Sequence, residues 1–161
     1  VCVDVGQNQL WACRHLWLGG ARFLTSGGLG TMGYALPAAV GVKVACPGRQ
    51  TVVICGDGSF QMAMNELAAV RSRNLDVKVV LMDNGVLGLV HQIQTAPPYH
   101  GAYGVRLEGS PDYAAIAAAY GIPSIVLEEE SQVEPALDRF LSQPGSCLLI
   151  AKVDPAATTG E

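Results

Sequence analysis

Two short turns hold the residues best able to do chemistry, Gly56-Asp57-Gly58-Ser59 and Asp83-Asn84-Gly85-Val86. In the first, the glycines let backbone approach a ligand closely, and Ser59 can present a hydroxyl and an N–H to a phosphate. Asp57 is aimed at the same place. A bare carboxylate beside a phosphate is repulsive unless a cation lies between them, so a hard divalent metal is implied. Asn84 stands 27 positions after Asp57, an interval that accommodates one helix and one strand. If the strands ending at these turns are neighbours, a carboxylate, an amide oxygen and a carbonyl meet at one sheet edge. Completed by diphosphate and water, they make an octahedral Mg²⁺ site. A lone Asp or Asn at a turn is ordinarily only a turn residue, and the pair at this spacing is far more specific.

Two further glycine turns are informative. Asp4-Val5-Gly6-Gln7-Asn8-Gln9 offers backbone N–H groups and side-chain amides to an anion, although on this segment alone a helix N-terminus capped by Asn8 is the simpler reading. Ser26 to Gly33 contains G-x-G-x-x-G at Gly28, Gly30 and Gly33. By itself that is a dinucleotide fingerprint, with Asp57 available as the ribose-binding acid, and it keeps a nicotinamide-dependent dehydrogenase open. A non-catalytic assembly domain that has lost its ligand is a third alternative. The GDGS turn and Asn84 weigh against both.

Short β-branched runs alternate with helical patterns, which predicts an α/β fold: three αβα layers around a mostly parallel sheet of about six strands. The strands are expected at Cys2 to Val5, Arg22 to Thr25, Thr51 to Cys55, Val77 to Met82, Ser124 to Leu127 and Cys147 to Val153. Helices are expected at Asn8 to Leu16, Thr31 to Ala45, Ser59 to Arg73, Leu87 to Gln94, Asp112 to Tyr120 and Ser131 to Ser142, the last capped at Ser131. Thr95 to Ser110 reads as a loop, and Asp154 to Glu161 as a frayed end beyond a domain spanning 1–153. In such sheets ligands sit beyond the carboxyl ends of the strands, where all four turns fall.

Taken together the turns resemble the diphosphate-binding domain of thiamine-diphosphate-dependent enzymes, most closely the acetolactate synthase (acetohydroxyacid synthase) large-subunit group. The likeness rests on DVGQNQLWA from Asp4, TSGGLGTMGYALPAAVG from Thr25, GDGSFQM from Gly56 and LGLV from Leu87. It implies that Asp57 and Asn84 bind Mg²⁺ through their side chains and Val86 through its carbonyl. Gly6, Gln7, Asn8, Gly58, Ser59, Gly88 and Leu89 would surround the diphosphate of thiamine diphosphate. Gly30 would offer its carbonyl to the aminopyrimidine, and Met32 would sit under the cofactor. The implied activity is decarboxylation of pyruvate or a related 2-oxo acid and transfer of the two-carbon unit to a second 2-oxo acid, as in branched-chain amino acid biosynthesis. A thiamine-diphosphate decarboxylase of other specificity is the alternative.

In similar enzymes the activating glutamate lies on a separate pyrimidine-binding domain, usually of another subunit, so the chain reads as the C-terminal third of a longer homodimeric or homotetrameric enzyme, inactive alone. Three positions depart from the group's pattern: Asn8 replaces a common His, Asp83 replaces the first Asn of a pair, and Ile93 stands where biosynthetic members carry a Trp lining the acceptor pocket.

Composition sets outer bounds. Fourteen acidic residues against 10 Lys plus Arg, for a net charge of −4, argue against a nucleic-acid partner. No apolar run reaches the roughly 18 residues of a membrane span. The opening Val1-Cys2-Val3-Asp4 carries no leader and reads as cut from something longer. Five cysteines, odd in number and without CxxC spacing, read as buried thiols of a reducing compartment, hence the cytoplasm. Only 15% of residues are charged, against about 25% in ordinary domains, so part of the surface is expected to be an interface. His15, His91 and His100 read as ordinary surface or loop histidines.

Overall fold

The computed structural model describes residues 1–160. Five parallel strands form one sheet: β1 (Cys2–Val3), β2 (Thr51–Gly56), β3 (Val77–Asp83), β4 (Ser124–Leu127) and β5 (Cys147–Lys152), in the order β1-β2-β3-β5-β4. The sixth expected strand, Arg22 to Thr25, is reduced to a single parallel bridge between Leu24 and Cys2, held by Val3 N–H to Leu24 O (2.8 Å) and Leu24 N–H to Val1 O (2.9 Å).

Among the described residues there are seven α-helices: α1 (Gln7–His15), α2 (Ala35–Ala45), α3 (Asp57–Ala63), α4 (Leu67–Ser72), α5 (Gly88–Thr95), α6 (Tyr113–Ala119) and α7 (Val133–Ser142). One face packs Val53, Cys55, Val79, Leu81, Leu148 and Ile150 against α2, α3, α4 and α6. The opposite face packs Val3 and Ile54 against Ala12 of α1, and Cys147 and Leu149 against Phe140 of α7. Burial from both sides is why the strands read as continuous apolar runs.

Three helix boundaries differ from expectation. The helix expected over Ser59 to Arg73 starts at Asp57 and is broken by a 3₁₀ turn at Met64–Glu66. The one expected from Thr31 begins at Ala35, because the buried Asp4 carboxylate accepts from Gly33 N–H (2.9 Å) and Ala35 N–H (2.8 Å), satisfying donors that a further helical turn would have used, while Gly33 turns at φ +83°. Ser131 does not cap the last helix. It lies inside a 3₁₀ turn, Glu130–Gln132, and Gln132 Oε1 accepts from the N–H groups of Glu128 (3.1 Å) and Glu129 (3.3 Å).

The segment Thr95 to Ser110 is a loop over most of its length, yet its far end returns to the turn after β3: Leu87 N–H donates to Val105 O (2.7 Å) and Leu107 N–H to Gly85 O (2.9 Å). Of the segment expected to fray, Glu161 lies outside the described residues. Asp154 to Gly160 form no helix or strand, but Thr159 is 4% exposed and bonded to Gln92. Cys2, Cys55 and Cys147 are buried, whereas Cys13 and Cys46 lie at the surface. Burial pushes the three buried thiols up, so they stay protonated and unreactive. No described helix is long and apolar enough to cross a membrane.

Candidate functional site

β2 and β3 are neighbours in parallel register, with Gly56 opposite Met82. This brings Asp57 and Asn84 together just past the strand ends. A cleft open to solvent lies there. It is lined by every residue expected around cofactor and metal except Gly30, and additionally by Trp11. Gly30 lies apart on its own turn, at φ +64° with its N–H on Ser26 O (2.9 Å). Ile93, 54% exposed on α5, lies outside the cleft too.

Asp57 is 1% exposed. Its Oδ1 accepts from Gly58 N–H (2.8 Å) and its Oδ2 from Gly85 N–H (2.7 Å). Burial pushes its carboxyl up to about 6, the two N–H donors oppose that rise, and neighbouring Asp83 adds to it. Among the described residues the side-chain ion pairs are Lys78–Asp76 and Lys152–Asp83, neither of them at Asp57. A carboxylate has about four acceptor sites, so Asp57 keeps lone pairs for a cation after its two N–H bonds. Asn84 Oδ1 accepts from Val86 N–H (3.1 Å). The Asp57 carboxylate and the Asn84 amide oxygen, both hard oxygen ligands of the kind Mg²⁺ takes, thus stand at adjacent strand ends.

The cleft is shaped by glycine. A Cβ at Gly88 would fall on the Gln7 carboxamide and 2.8 Å from Asn84 Nδ2, and one at Gly58 would stand 2.7 Å from Leu87 Cδ2 and 3.4 Å from Met32 Cε. Three helices, α1, α3 and α5, start from the turns after β1, β2 and β3, so their N-termini converge on the same space and favour an anion. Met32, Met82, Leu87, Leu89 and Val90 give the cleft an apolar wall. A space with an unpaired buried carboxylate, converging helix N-termini and an apolar flank fits a metal-bridged diphosphate attached to a heterocycle.

Some expected details are placed differently. Asn8 is not the cap of α1, which starts from Gly6. It is buried inside the helix, and its Nδ2 donates to Asp4 O (2.7 Å) and Ile54 O (3.4 Å), tying β1 to β2. The Ser59 hydroxyl turns inward, donating to Gly56 O (3.0 Å) and accepting from Gly56 N–H (3.2 Å). Asp4, Trp11 and Gln92 are residues the sequence reading left without a role. Asp4 and Trp11 stand in the DVGQNQLWA motif itself, so the signal was present, but their partners Gly33, Ala35 and Thr158 come from distant segments.

Comparison with known proteins agrees with this geometry. The chain is 39% identical over 155 residues to the acetolactate synthase isozyme 1 large subunit of Escherichia coli (strain K12), covering 96% of this chain and 28% of that protein. It is 43% identical over 155 residues to the isozyme 2 large subunit of the same organism, with the same coverage. It is also 43% identical over 156 residues to the acetolactate synthase of Arthrospira platensis, covering 93% of this chain and 26% of that protein. The chain thus spans little more than a quarter of the length of these relatives. Residues 4–151 match the family described as thiamine pyrophosphate enzyme, C-terminal TPP binding domain. That match takes in all four strand-end turns, and the chain belongs to this family of thiamine-pyrophosphate-binding domains.

Proposed function

We propose that the cleft holds Mg²⁺ and the diphosphate of thiamine diphosphate, and that the chain is the cofactor-binding part of an acetolactate-synthase-like enzyme. Its substrate class is the small 2-oxo acids, pyruvate first, with a second 2-oxo acid as acceptor. The observation that carries this proposal is Asp57: a buried carboxylate without a cationic side-chain partner, set across a neighbouring strand end from Asn84.

Asp57, Asn84 and the Val86 carbonyl would hold the metal. Gly6, Gln7, Asn8, Gly58, Ser59, Gly88 and Leu89 would enclose the diphosphate, with Ser59 contributing its N–H because its hydroxyl is engaged. Met32 would support the heterocycle from the apolar side, and the Gly30 carbonyl, on a turn outside the cleft lining, would meet the aminopyrimidine. When bound, thiamine diphosphate supplies the carbon nucleophile that makes 2-oxo acid decarboxylation accessible. The chain's own residues position that group and keep water from its apolar side.

The activating carboxylate would come from a pyrimidine-binding domain of the same enzyme, contributed within a homodimer or homotetramer. The relatives' greater length supports this, as do Trp17, Leu29, Tyr99 and Tyr103, large apolar side chains exposed here. Ile93 leaves the acceptor open, since an aliphatic side chain shapes a pocket differently from an indole. The dehydrogenase alternative is disfavoured by the family match, which takes in the glycine turn and Asp57 alike. The cytoplasm is the proposed location.

The test is calorimetric titration of thiamine diphosphate with Mg²⁺ into the full-length protein and its Asp57→Ala and Asn84→Ala variants. Binding lost in both is expected. Unchanged binding in the variants, or none in the wild type, overturns the assignment.

A further inference from the structure

Gln92, on α5 one position before Ile93, takes no part in the roles assigned above, yet its carboxamide is the junction of a hydrogen-bonded chain. Its Oε1 accepts from Gln7 Nε2 (3.1 Å) and from Thr159 N–H (3.0 Å), and its Nε2 donates to Thr159 Oγ1 (3.2 Å). Gln7 passes the connection on. Its second Nε2 hydrogen goes to Ala157 O (2.7 Å), and its Oε1 accepts from Asn84 Nδ2 (3.3 Å). Trp11, on the same helix as Gln7, donates from Nε1 to Thr158 O (3.3 Å).

Counting donors and acceptors shows how constrained this arrangement is. An amide has two N–H donors and one oxygen, and both Gln7 hydrogens and its oxygen are used. The bond to Gln7 Oε1 decides which end of the Asn84 amide faces the cleft: with Nδ2 turned to Gln7, Oδ1 faces the turn at Val86. Gln7 is 4% exposed, and its carboxamide occupies the space a Cβ at Gly88 would fill.

We propose that Gln92 is a positioning residue: by clamping the segment Ala157–Thr159 to Gln7, it fixes the Gln7 amide and, through it, the orientation of Asn84 toward the metal. The segment after β5 is thereby a structural part of the cofactor site, although it contributes no ligand. This inference rests on the proposed metal and diphosphate site.

The test compares full-length wild type with Gln92→Met, which keeps side-chain length but makes no amide hydrogen bonds, and with Gln92→Glu. A carboxylate at this position retains an acceptor for Gln7 and Thr159 N–H and a second for the Thr159 hydroxyl. Hydrogen exchange by mass spectrometry is read on peptides covering residues 154–160 and 84–88, alongside calorimetric affinity for thiamine diphosphate with Mg²⁺. For Gln92→Met, faster exchange in both peptides and about tenfold or more weaker binding are expected, the size of effect that partners of metal ligands commonly have. Gln92→Glu restores exchange protection in both. Thr159→Val, which leaves the cleft untouched, shifts exchange and affinity in the same direction by less, and it serves as the second variant should Gln92→Met fold poorly. Faster exchange confined to residues 154–160 with unchanged affinity overturns the proposal, making Gln92 an anchor of the terminal segment only. Absence of binding in the wild type overturns the cofactor assignment and this proposal with it, whereas normal wild-type binding with unaffected variants overturns this proposal alone.

Discussion

In the proposed site a proton and a metal would compete for the Asp57 carboxylate. Its carboxyl is raised from 3.8 to about 6 in the fold, so folding favours the protonated form. Stability of the ligand-free protein therefore falls as pH rises from near 3.8 to about 6, through this one group, and is flat above. The expected outcome is a melting temperature that loses this pH-dependent component in Asp57→Asn and regains stability above pH 6 when Mg²⁺ is added, measured by calorimetry across the pH range. Affinity for Mg²⁺ should fall about tenfold per pH unit below that pKa, because the ion binds only the ionised carboxylate. A second expectation concerns Gly88. Gly88→Ala puts a methyl group onto the Gln7 carboxamide and should weaken thiamine diphosphate binding by about tenfold or more while circular dichroism stays that of a folded domain. That Asp57 and Asn84 meet at neighbouring strand ends could be read from residue type and spacing alone, since few structural reasons place a GDGS turn and an Asn at such an interval. Asp4 and Gln92 could not, because what they do depends on partners brought together only by the fold.

The elements were legible where packing decides them and less so where a distant side chain does. β2, β3 and β5 follow from continuous apolar runs, but the start of α2 at Ala35 depends on Asp4, which precedes it by 31 positions. Asp4→Ala should destabilise the fold by about 1–3 kcal/mol, since it leaves the N–H groups of Gly33 and Ala35 without their partner, as urea denaturation would show. The same variant should speed hydrogen exchange at Gly33 and Ala35 above that of the sheet. The split of the long third helix at Met64–Glu66 also has no signature in the periodicity, because Leu67 and Val70 of α4 continue burying toward the same face as Phe60 and Ala63 of α3. The loop after α5 was recognisable from its Pro and Gly content, whereas its return to pair Val86 with Arg106 was not, having no local pattern to betray it.

For the molecule as a whole, low charge content is accompanied by large exposed apolar side chains, Leu29 at 93% and Tyr103 at 86% exposure among them. Left uncovered, such groups drive association. The isolated 161-residue chain should therefore self-associate in light scattering as concentration rises, and a monodisperse monomer at high concentration would contradict this. The parallel register has one more consequence. Because Gly56 lies opposite Met82, the separation of Asp57 from Asn84 is set across adjacent strands, which stand about 4.8 Å apart, and not by the count of residues between them. The length of the stretch from α4 to the start of β3 does not itself set that distance, whereas a one-residue slip of β3 against β2 would turn Asn84 to the other face. What keeps the two residues together is thus the pairing of the strands and not the path of the chain between them.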